Sequence, residues 1–482
     1  DGLAGLLRES GLPAQVIGPV FQLLAMIVWT HVVSDHTLGI ITLITATHEL
    51  LQIGFLSWWS QYALRFLGRY ESAGDEQRFY ATETFVILVS IILQSFAIVG
   101  VVLVVIAPDA SPFLLAASVG YVISRTLNLY IGERARARHQ IGIYSIQQIV
   151  GPSAGLLLGL LLIHLFGPMP EWPLAGYCVM QLLAALTVLP FMGYSHRLWP
   201  IDREIFRHAL HYGVPIIIGG GLGWVGLNAS RFILNDMMGV AAAGLFAVGY
   251  GLGQRAAAVA AMLVTAAAFP LAVKHMEQGG SQAAMNQLVD NSALLFAILV
   301  PSIAGIYSLR AEIVHLMIAA PFQAATLAIL PLSALAGSIR NLRAHFGDQV
   351  FLLHSRTRLI VVVSSIDAIV TVVLSVIFIH RWGLVGAAAA TVASACAAAT
   401  VSFGIGFTKF GLTLPVSHLL RSGIATALMM VVLHRLPEAT NFAGLALHIA
   451  TGAGVYAVTL TVFYARSLFQ FWIVRAHQPL RG

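Results

Sequence analysis

The sequence predicts an all-α integral membrane protein of about fourteen transmembrane helices, built as two six-helix lobes related by a pseudo-two-fold repeat plus two extra helices. Three observations carry this expectation. Charged residues make up only 10% of the chain and hydrophobic residues 58%, whereas a soluble domain holds roughly 25% charged residues. Apolar runs of spanning length recur from end to end, at a mean hydropathy of +0.86. Short patterns also return at near-constant spacing along the chain.

A crossing needs roughly 20 apolar residues. The runs fall at 12–33, 38–60, 83–107, 112–132, 143–166, 173–195, 209–235, 241–268, 288–310, 324–353, 358–380, 384–407, 416–436 and 441–466. Their connections are short, the longest polar stretch being 61–82. With a cytoplasmic N-terminus, eighteen Lys and Arg fall inside, among them Arg8, Arg134, Arg138, Arg197 and Arg481. Only Arg310, Arg381 and Arg435 fall outside. Basic residues favour the cytoplasmic side, so both termini are expected there. The net charge of +6 is spread over short loops, which suits anionic lipid headgroups and not nucleic acid. The first apolar run leads straight into further spans, so no cleavable signal peptide is expected.

The repeat appears at three places. Gly39 in "HTLGIITLITATHELLQIG" parallels Gly244 in "AAAGLFAVGYGLGQRAAAV", 205 residues on. "SIQQIVGPSAGLLLGLLLIHLFG" from Ser145 parallels "SIDAIVTVVLSVIFIHRWG" from Ser365, and "PLAGY" at 173–177 parallels "GLVGA" at 383–387. The expected division is an N-lobe over 1–207, a C-lobe over 208–409 and an additional pair of helices over 410–482. Six helices per half means both halves enter from the same side, which places a site between them.

Several motifs suggest chemistry that their context denies. "GLGWVG" at 221–226 fits a dinucleotide pattern, but that pattern needs a strand before it; inside a spanning helix, small residues serve close packing. "GLLLG" at 155–159 and "GYGLG" at 249–253 read the same way. "HELLQ" at 48–52 begins like a zinc motif, but Gln52 replaces the second His ligand. Cys178 and Cys396 sit in apolar runs as free thiols, with no metal spacing. No catalytic residue, metal or cofactor is expected.

The polar residues inside the spans are more informative. An ionisable group at mid-bilayer costs about 2.5–3.5 kcal/mol on insertion scales, so it faces a cavity or a partner. Helical spacing puts Thr45, His48, Glu49 and Gln52 on one face. Ser118, Tyr121, Arg125 and Asn128 form a second such stripe, and Trp224, Asn228, Arg231 and Asn235 a third. Gln254 and Arg255 lie among glycines, and Arg340, Asn341, Arg343 and Asp348 follow Ser333 and Gly337. Gln15 and Gln22 lie on the first helix. Five Arg against Glu49 and Asp348 predict a net cationic cavity, because Asp236, Asp290 and Asp367 are read as headgroup-level residues near helix ends. Arg suits phosphate, since its planar fork donates bidentately and stays charged. The expected substrate-binding residues are Arg255, Arg231, Arg125, Arg340, Arg343, Asn228, Gln254 and Gln52. Glu49 and His48 are the candidates for ion coupling.

The chain resembles the polysaccharide transporter (Wzx-type oligosaccharide flippase) branch of the multidrug/oligosaccharidyl-lipid/polysaccharide exporter superfamily. The resemblance lies in the six-plus-six-plus-two helix pattern, in "SRFILNDMMGVAAAGLFAVGYGL" at 230–252 and in "WGLVGAAAATVAS" at 382–394. Ser230 stands where an acid often precedes the Arg, so Arg231 lacks its usual neighbour. The resemblance implies a flippase of the bacterial inner membrane. It would move a polyprenyl-diphosphate-linked oligosaccharide to the outer leaflet by alternating access, for exopolysaccharide or O-antigen assembly. Implied partners are that lipid-linked oligosaccharide, membrane lipids, and a polysaccharide polymerase with its export machinery. Other readings are a lipid-linked peptidoglycan precursor flippase and a multidrug or cation antiporter, for which an acidic cavity is expected. A membrane-embedded polymerase or ligase is disfavoured by the absence of any long outside loop.

Overall fold

The computed structural model describes residues 12–138, 140–191 and 201–476; Arg8, Arg197 and Arg481 lie outside them. The described residues are helical throughout, with no strand among them. The helices are α1 (Leu12–Val32), α2 (Asp35–Ala73), α3 (Glu76–Ile106), α4 (Pro112–Ala137), α5 (Ile141–Phe166) and α6 (Glu171–Phe191), followed by α7 (Arg203–Met238), α8 (Val240–Met317), α9 (Ala320–Leu353), α10 (Thr357–Phe410), α11 (Val416–Arg435) and α12 (Phe442–Ala476). Side-chain caps start several of them. Ser34 accepts from the Thr37 amide at 3.1 Å, and Ser111 accepts from that of Leu114 at 3.0 Å just before Pro112. Asp202 accepts from the amides of Glu204 and Ile205 and pairs with Arg78.

Among the described residues eleven helices are long and apolar enough to cross a membrane, and Val20–Val32 forms a shorter apolar helix; the sequence suggested about fourteen runs of spanning length. Two expected runs fall within α8, which loses helical geometry at Gly280 (φ 75°), and two within α10, which loses it at Gly383 (φ 54°). Large apolar side chains such as Phe96, Val104 and Val462 stand exposed. A lipid-facing surface has that character.

The polar stretch 61–82 is not a loop. Helix α2 runs on to Ala73, turns at Gly74 and Asp75, and α3 begins at Glu76. The 39 residues of α2 span roughly 58 Å at 1.5 Å per residue, well beyond a bilayer core of about 30 Å. Its protruding end stays helical because Trp59, Tyr62 and Leu67 bury one face against Phe79, Tyr130 and the start of α7. Arg134, expected at an inner loop, is buried there. It pairs with Glu83 at 3.0 Å, both side chains fully enclosed, and its guanidinium lies 4.9 Å from the Tyr80 ring.

Helices α4, α5 and α6 pack together, as do α7 with α10 and α8 with α9. Glycines set the closest approaches. A Cβ at Gly155 would stand 2.7 Å from Tyr177, and one at Gly253 would stand 1.9 Å from the Ser333 hydroxyl, so these two motifs are packing elements as expected. The 221–226 motif differs. Gly226 abuts Asp367, but a Cβ at Gly221 or Gly223 would meet nothing within 4 Å. Helices α2 and α8 cross where Gly39 faces the Val240 carbonyl and Gly244 faces the Asp35 carbonyl, with Cβ-to-oxygen distances of 2.1 and 2.0 Å if side chains were added. This contact is reciprocal at the 205-residue offset. Helix α12 is held to α8 by His448, whose Nδ1 lies 2.9 Å from Glu312, and by the Tyr456 hydroxyl donating to the Ala297 carbonyl at 2.7 Å.

The short α3–α4 and α5–α6 turns and the α4–α5 turn make a topology test direct. In a Cys178→Ser, Cys396→Ser background, single cysteines at exposed Ile141 and Met169 should react with a membrane-impermeant maleimide from opposite sides. Same-side labelling would reject the arrangement.

Candidate functional site

Charged side chains from three helices meet around a cavity of about 220 Å³. Helix α2 supplies Thr45, His48 and Glu49, α4 supplies Tyr121 and Arg125, and α8 supplies Arg255. Gln22 and Trp29 of α1, with Gln148 of α5 and Gln181 of α6, complete the polar wall. Glu49 is solvent-accessible through this space. The charges of Arg231, Arg255 and Arg125 all act on its carboxylate, and the Asn228 amide donates to the Trp224 carbonyl at 3.4 Å. None of the three arginines closes an ion pair with Glu49 among the described residues. Arg125 and Arg255 line the cavity beside Glu49 and Arg231 acts on it from outside the lining, so the excess charge is positive.

Each Arg is placed by its neighbours. Arg125 donates to Asn128 Oδ1 at 3.3 Å, and Asn128 donates to Gln147 Oε1 at 2.6 Å, where α5 widens into a π turn over Ile146–Val150. Arg231 lies 5.3 Å from the Tyr250 ring, a cation–π contact. Its neighbour Ser230, standing where an acid was expected, shares a hydrogen bond of 2.8 Å with Ser375. Arg255 packs beside Gly251, its Nη1 buried without a hydrogen-bond partner among the described residues. Trp224 donates to the Ala46 carbonyl at 2.9 Å and Asn235 to that of Val105 at 2.8 Å, so both tie α7 to the first half of the chain.

The five-Arg cavity expected from the sequence divides in two. Arg340 and Arg343 do not join the others around Glu49. Arg340 is held by Asp367 at 3.0 and 3.2 Å, by the Gly226 carbonyl at 2.9 Å, by Ser394 at 3.0 Å and by the Tyr250 hydroxyl at 3.3 Å. Arg343 lies 3.1 Å from Asp367 and 3.3 Å from Asp348, which accepts from Ser402 at 2.6 Å. Asp367 was read as a headgroup-level residue and is instead buried at the centre of this clasp. Its chain neighbours gave no sign of that. The alignment of Ser145 with Ser365 sets Asp367 opposite Gln147, which ties α5 to Asn128 in the first half.

Other expected residues lie elsewhere. Gln52 is buried one turn beyond Glu49, before the π turn Ile53–Ser57, and does not line the cavity. His48 lines it but bonds Thr126 at 3.1 Å and packs edge-on to Tyr121. Gln254 donates to the Ser333 carbonyl at 3.2 Å. It lines a second chamber of about 400 Å³ with Arg340, Arg343 and Asp367. Arg255 borders both spaces. Among the described residues no group of three His, Cys, Asp or Glu is placed to hold a metal ion.

The helix arrangement defines the protein class. It matches a lipid II flippase MurJ in an inward closed conformation with a TM-score of 0.72 at 14% identity, over 94% of this chain and 98% of that one. It matches an inward-facing multidrug resistance MATE family transporter of the MOP superfamily at 0.63 and 12% identity, over 82% and 94%. A MOP superfamily transporter from Pyrococcus furiosus, described as having a binding pocket of reverse polarity, matches at 0.53 and 14% identity, over 84% and 93%. This is a multi-pass membrane protein with the fold of the MOP superfamily. The profile of the polysaccharide biosynthesis protein family matches residues 12–276, more than half of the chain, and the chain belongs to that family. Curated protein sequences gave no match.

The two Arg groups predict different mutant behaviour. Removing one partner of a buried ion pair destabilises by about 3–5 kcal/mol. Arg340→Ala should therefore lower the thermal midpoint in detergent and the amount of protein in membranes, with partial recovery in Arg340→Ala/Asp367→Asn. Arg125→Ala and Arg255→Ala should stay within a few degrees of wild type. Equal losses in all three would reject the division.

Proposed function

We propose that this protein is a flippase that carries a polyprenyl-diphosphate-linked oligosaccharide from the cytoplasmic to the outer leaflet of the bacterial inner membrane. The observation that carries this reading is the excess of positive charge about Glu49: Arg125 and Arg255 line its cavity, and the charge of Arg231 acts on the same carboxylate. A diphosphate is the complementary ligand: compact, doubly anionic and rich in acceptors that match guanidinium forks. Membership of a polysaccharide biosynthesis family supports a saccharide cargo, and the MOP fold supports transport over catalysis.

In this reading 1–207 and 208–409 act as two lobes that rock about the cavity, with 410–482 packed outside and both termini cytoplasmic. Arg125 comes from the first lobe, and Arg231 and Arg255 from the second. A polysaccharide polymerase with export machinery would receive the product. Glu49 competes with the diphosphate for the same three Arg, so its protonation as the headgroup arrives links transport to a proton gradient. A second reading, a flippase of peptidoglycan precursors, is supported by the match to the lipid II flippase. That cargo is also a diphosphate-linked saccharide, so the two readings differ in the glycan alone.

Purified protein in liposomes, with a labelled lipid-linked saccharide in one leaflet, tests translocation directly. Charge-assisted hydrogen bonds contribute about 1.5–3 kcal/mol each, so Arg255→Ala should weaken headgroup binding by about tenfold or more. Arg255→Lys should recover only part, since the ammonium keeps the charge and loses the fork. Wild-type rates in Arg255→Ala would remove the central claim. Glu49→Gln should abolish the response to an imposed proton gradient and tighten binding of a sugar-free polyprenyl diphosphate. A preserved gradient response would end the coupling role.

A further inference from the structure

Arg125 and Arg340 stand in like positions on their helices, with Asn128 and Arg343 three residues on. Arg340 makes five hydrogen bonds, two of them to the Asp367 carboxylate. Arg125 makes one among the described residues, to Asn128 Oδ1 at 3.3 Å, and lines the cavity. A guanidinium has five N–H donors, so most of those on Arg125 are left for a ligand. What holds it in this way is a directed chain of amides.

The chain depends on a proline. Over Ile146–Val150 helix α5 widens into a π turn, and Gly151 donates its amide to the Ile146 carbonyl five residues back. The same bond one residue on would need an amide from Pro152, and proline has none. The Gln147 carbonyl is therefore left for a side chain, and Asn128 Nδ2 donates to it at 2.9 Å. Asn128 Nδ2 also donates to Gln147 Oε1 at 2.6 Å. Gly151 makes room for this, since a Cβ there would stand 3.2 Å from Asn128 Nδ2.

Direction runs through the whole set. Gln147 Nε2 donates to the Ala184 carbonyl of α6 at 2.8 Å. A backbone carbonyl only accepts, so it fixes which end of the Gln147 amide points to it. Gln147 Oε1 must then accept, Asn128 must donate, and Asn128 Oδ1 is turned to Arg125. Asn128 and Gln147 are fully buried, so water does not compete for these groups. The second half lacks both parts of the device. Asp367 stands at the position of Gln147 and Val372 at that of Pro152, and α10 is α-helical through both.

We propose that Gln147 is a positioning residue for the anion: acting through Asn128, it holds Arg125 by a single neutral acceptor and leaves the rest of the guanidinium to the diphosphate. Gln147 does not itself line the cavity. This inference rests on the diphosphate reading above and says how the first half keeps its arginine available.

The test is binding of a labelled sugar-free polyprenyl diphosphate to the full-length protein in nanodiscs, run as a double-mutant cycle. Gln147→Met keeps the bulk and removes both polar groups. It should weaken probe binding about fivefold in the wild-type background, in line with coupling inside one hydrogen-bond network, and have no effect in an Arg125→Ala background. A purely structural role would weaken binding equally in both. Gln147→Glu keeps an acceptor for Asn128 and adds a charge that pairs with Arg125. It should weaken probe binding by about tenfold or more and melt above Gln147→Met. Pro152→Ala, which restores the missing amide, guards against both Gln147 variants failing to fold. It should lose probe affinity at a thermal midpoint no lower than that of wild type. Failure of the probe to bind wild type, or full binding by Arg125→Ala, would overturn the diphosphate reading itself. Wild-type affinity in Gln147→Met or Gln147→Glu, or an equal loss in both backgrounds, would overturn the positioning role alone. So would unchanged binding in Pro152→Ala.

Discussion

A guanidinium withdrawn from water must recover its hydration from protein groups, and this constraint organises the interior. Asp367 shows how. It lies between Arg340 and Arg343, and Arg340 donates in addition to the Gly226 carbonyl, Tyr250 and Ser394, which completes an oxygen-lined cage around the guanidinium. That cage fastens α7, α9 and α10 to one another. Around Glu49 the same constraint is only partly met. Among the described residues Glu49 closes no ion pair with Arg125, Arg231 or Arg255, and the Arg255 Nη1 and Arg231 Nε are left without hydrogen-bond partners there. A site that is incompletely satisfied and open to water is one a ligand can complete.

The two halves reach these outcomes from related positions. Asn128 bonds Gln147 in the first half, and Arg343 bonds Asp367 in the second. Gln147 and Asp367 are counterparts in the repeat. A neutral amide at 147 does not bind a guanidinium tightly, so Arg125 remains at the cavity. The carboxylate at 367 captures Arg340 and removes it from service to an anion. One exchange of charge between repeats therefore separates a cavity-lining arginine from a structural clasp.

Much of this was legible in the sequence. Hydropathy and composition gave the helical membrane class. The stripe of Thr45, His48 and Glu49 emerged from helical spacing and lines the cavity as expected. Arg125, Arg231 and Arg255 were found because charge inside a span is costly enough to need a reason. What periodicity does not encode is the identity of the partner. Asp367 lies 27 residues from Arg340, and nothing local marks it as buried. The continuation of α2 to Ala73 was hidden for a related reason. A helix that leaves the bilayer but packs its aromatic face on protein loses its hydropathy signal and keeps its structure.

The crossing of α2 and α8 has a mechanical consequence. Both close approaches, Gly39 on Val240 and Gly244 on Asp35, are made by backbone. Backbone has no rotamers with which to follow a sliding neighbour, so neither approach can be stretched by degrees. The reciprocity means that rotating one helix against the other loosens both together. A single methyl group on either glycine would therefore force the two helices apart at both contacts.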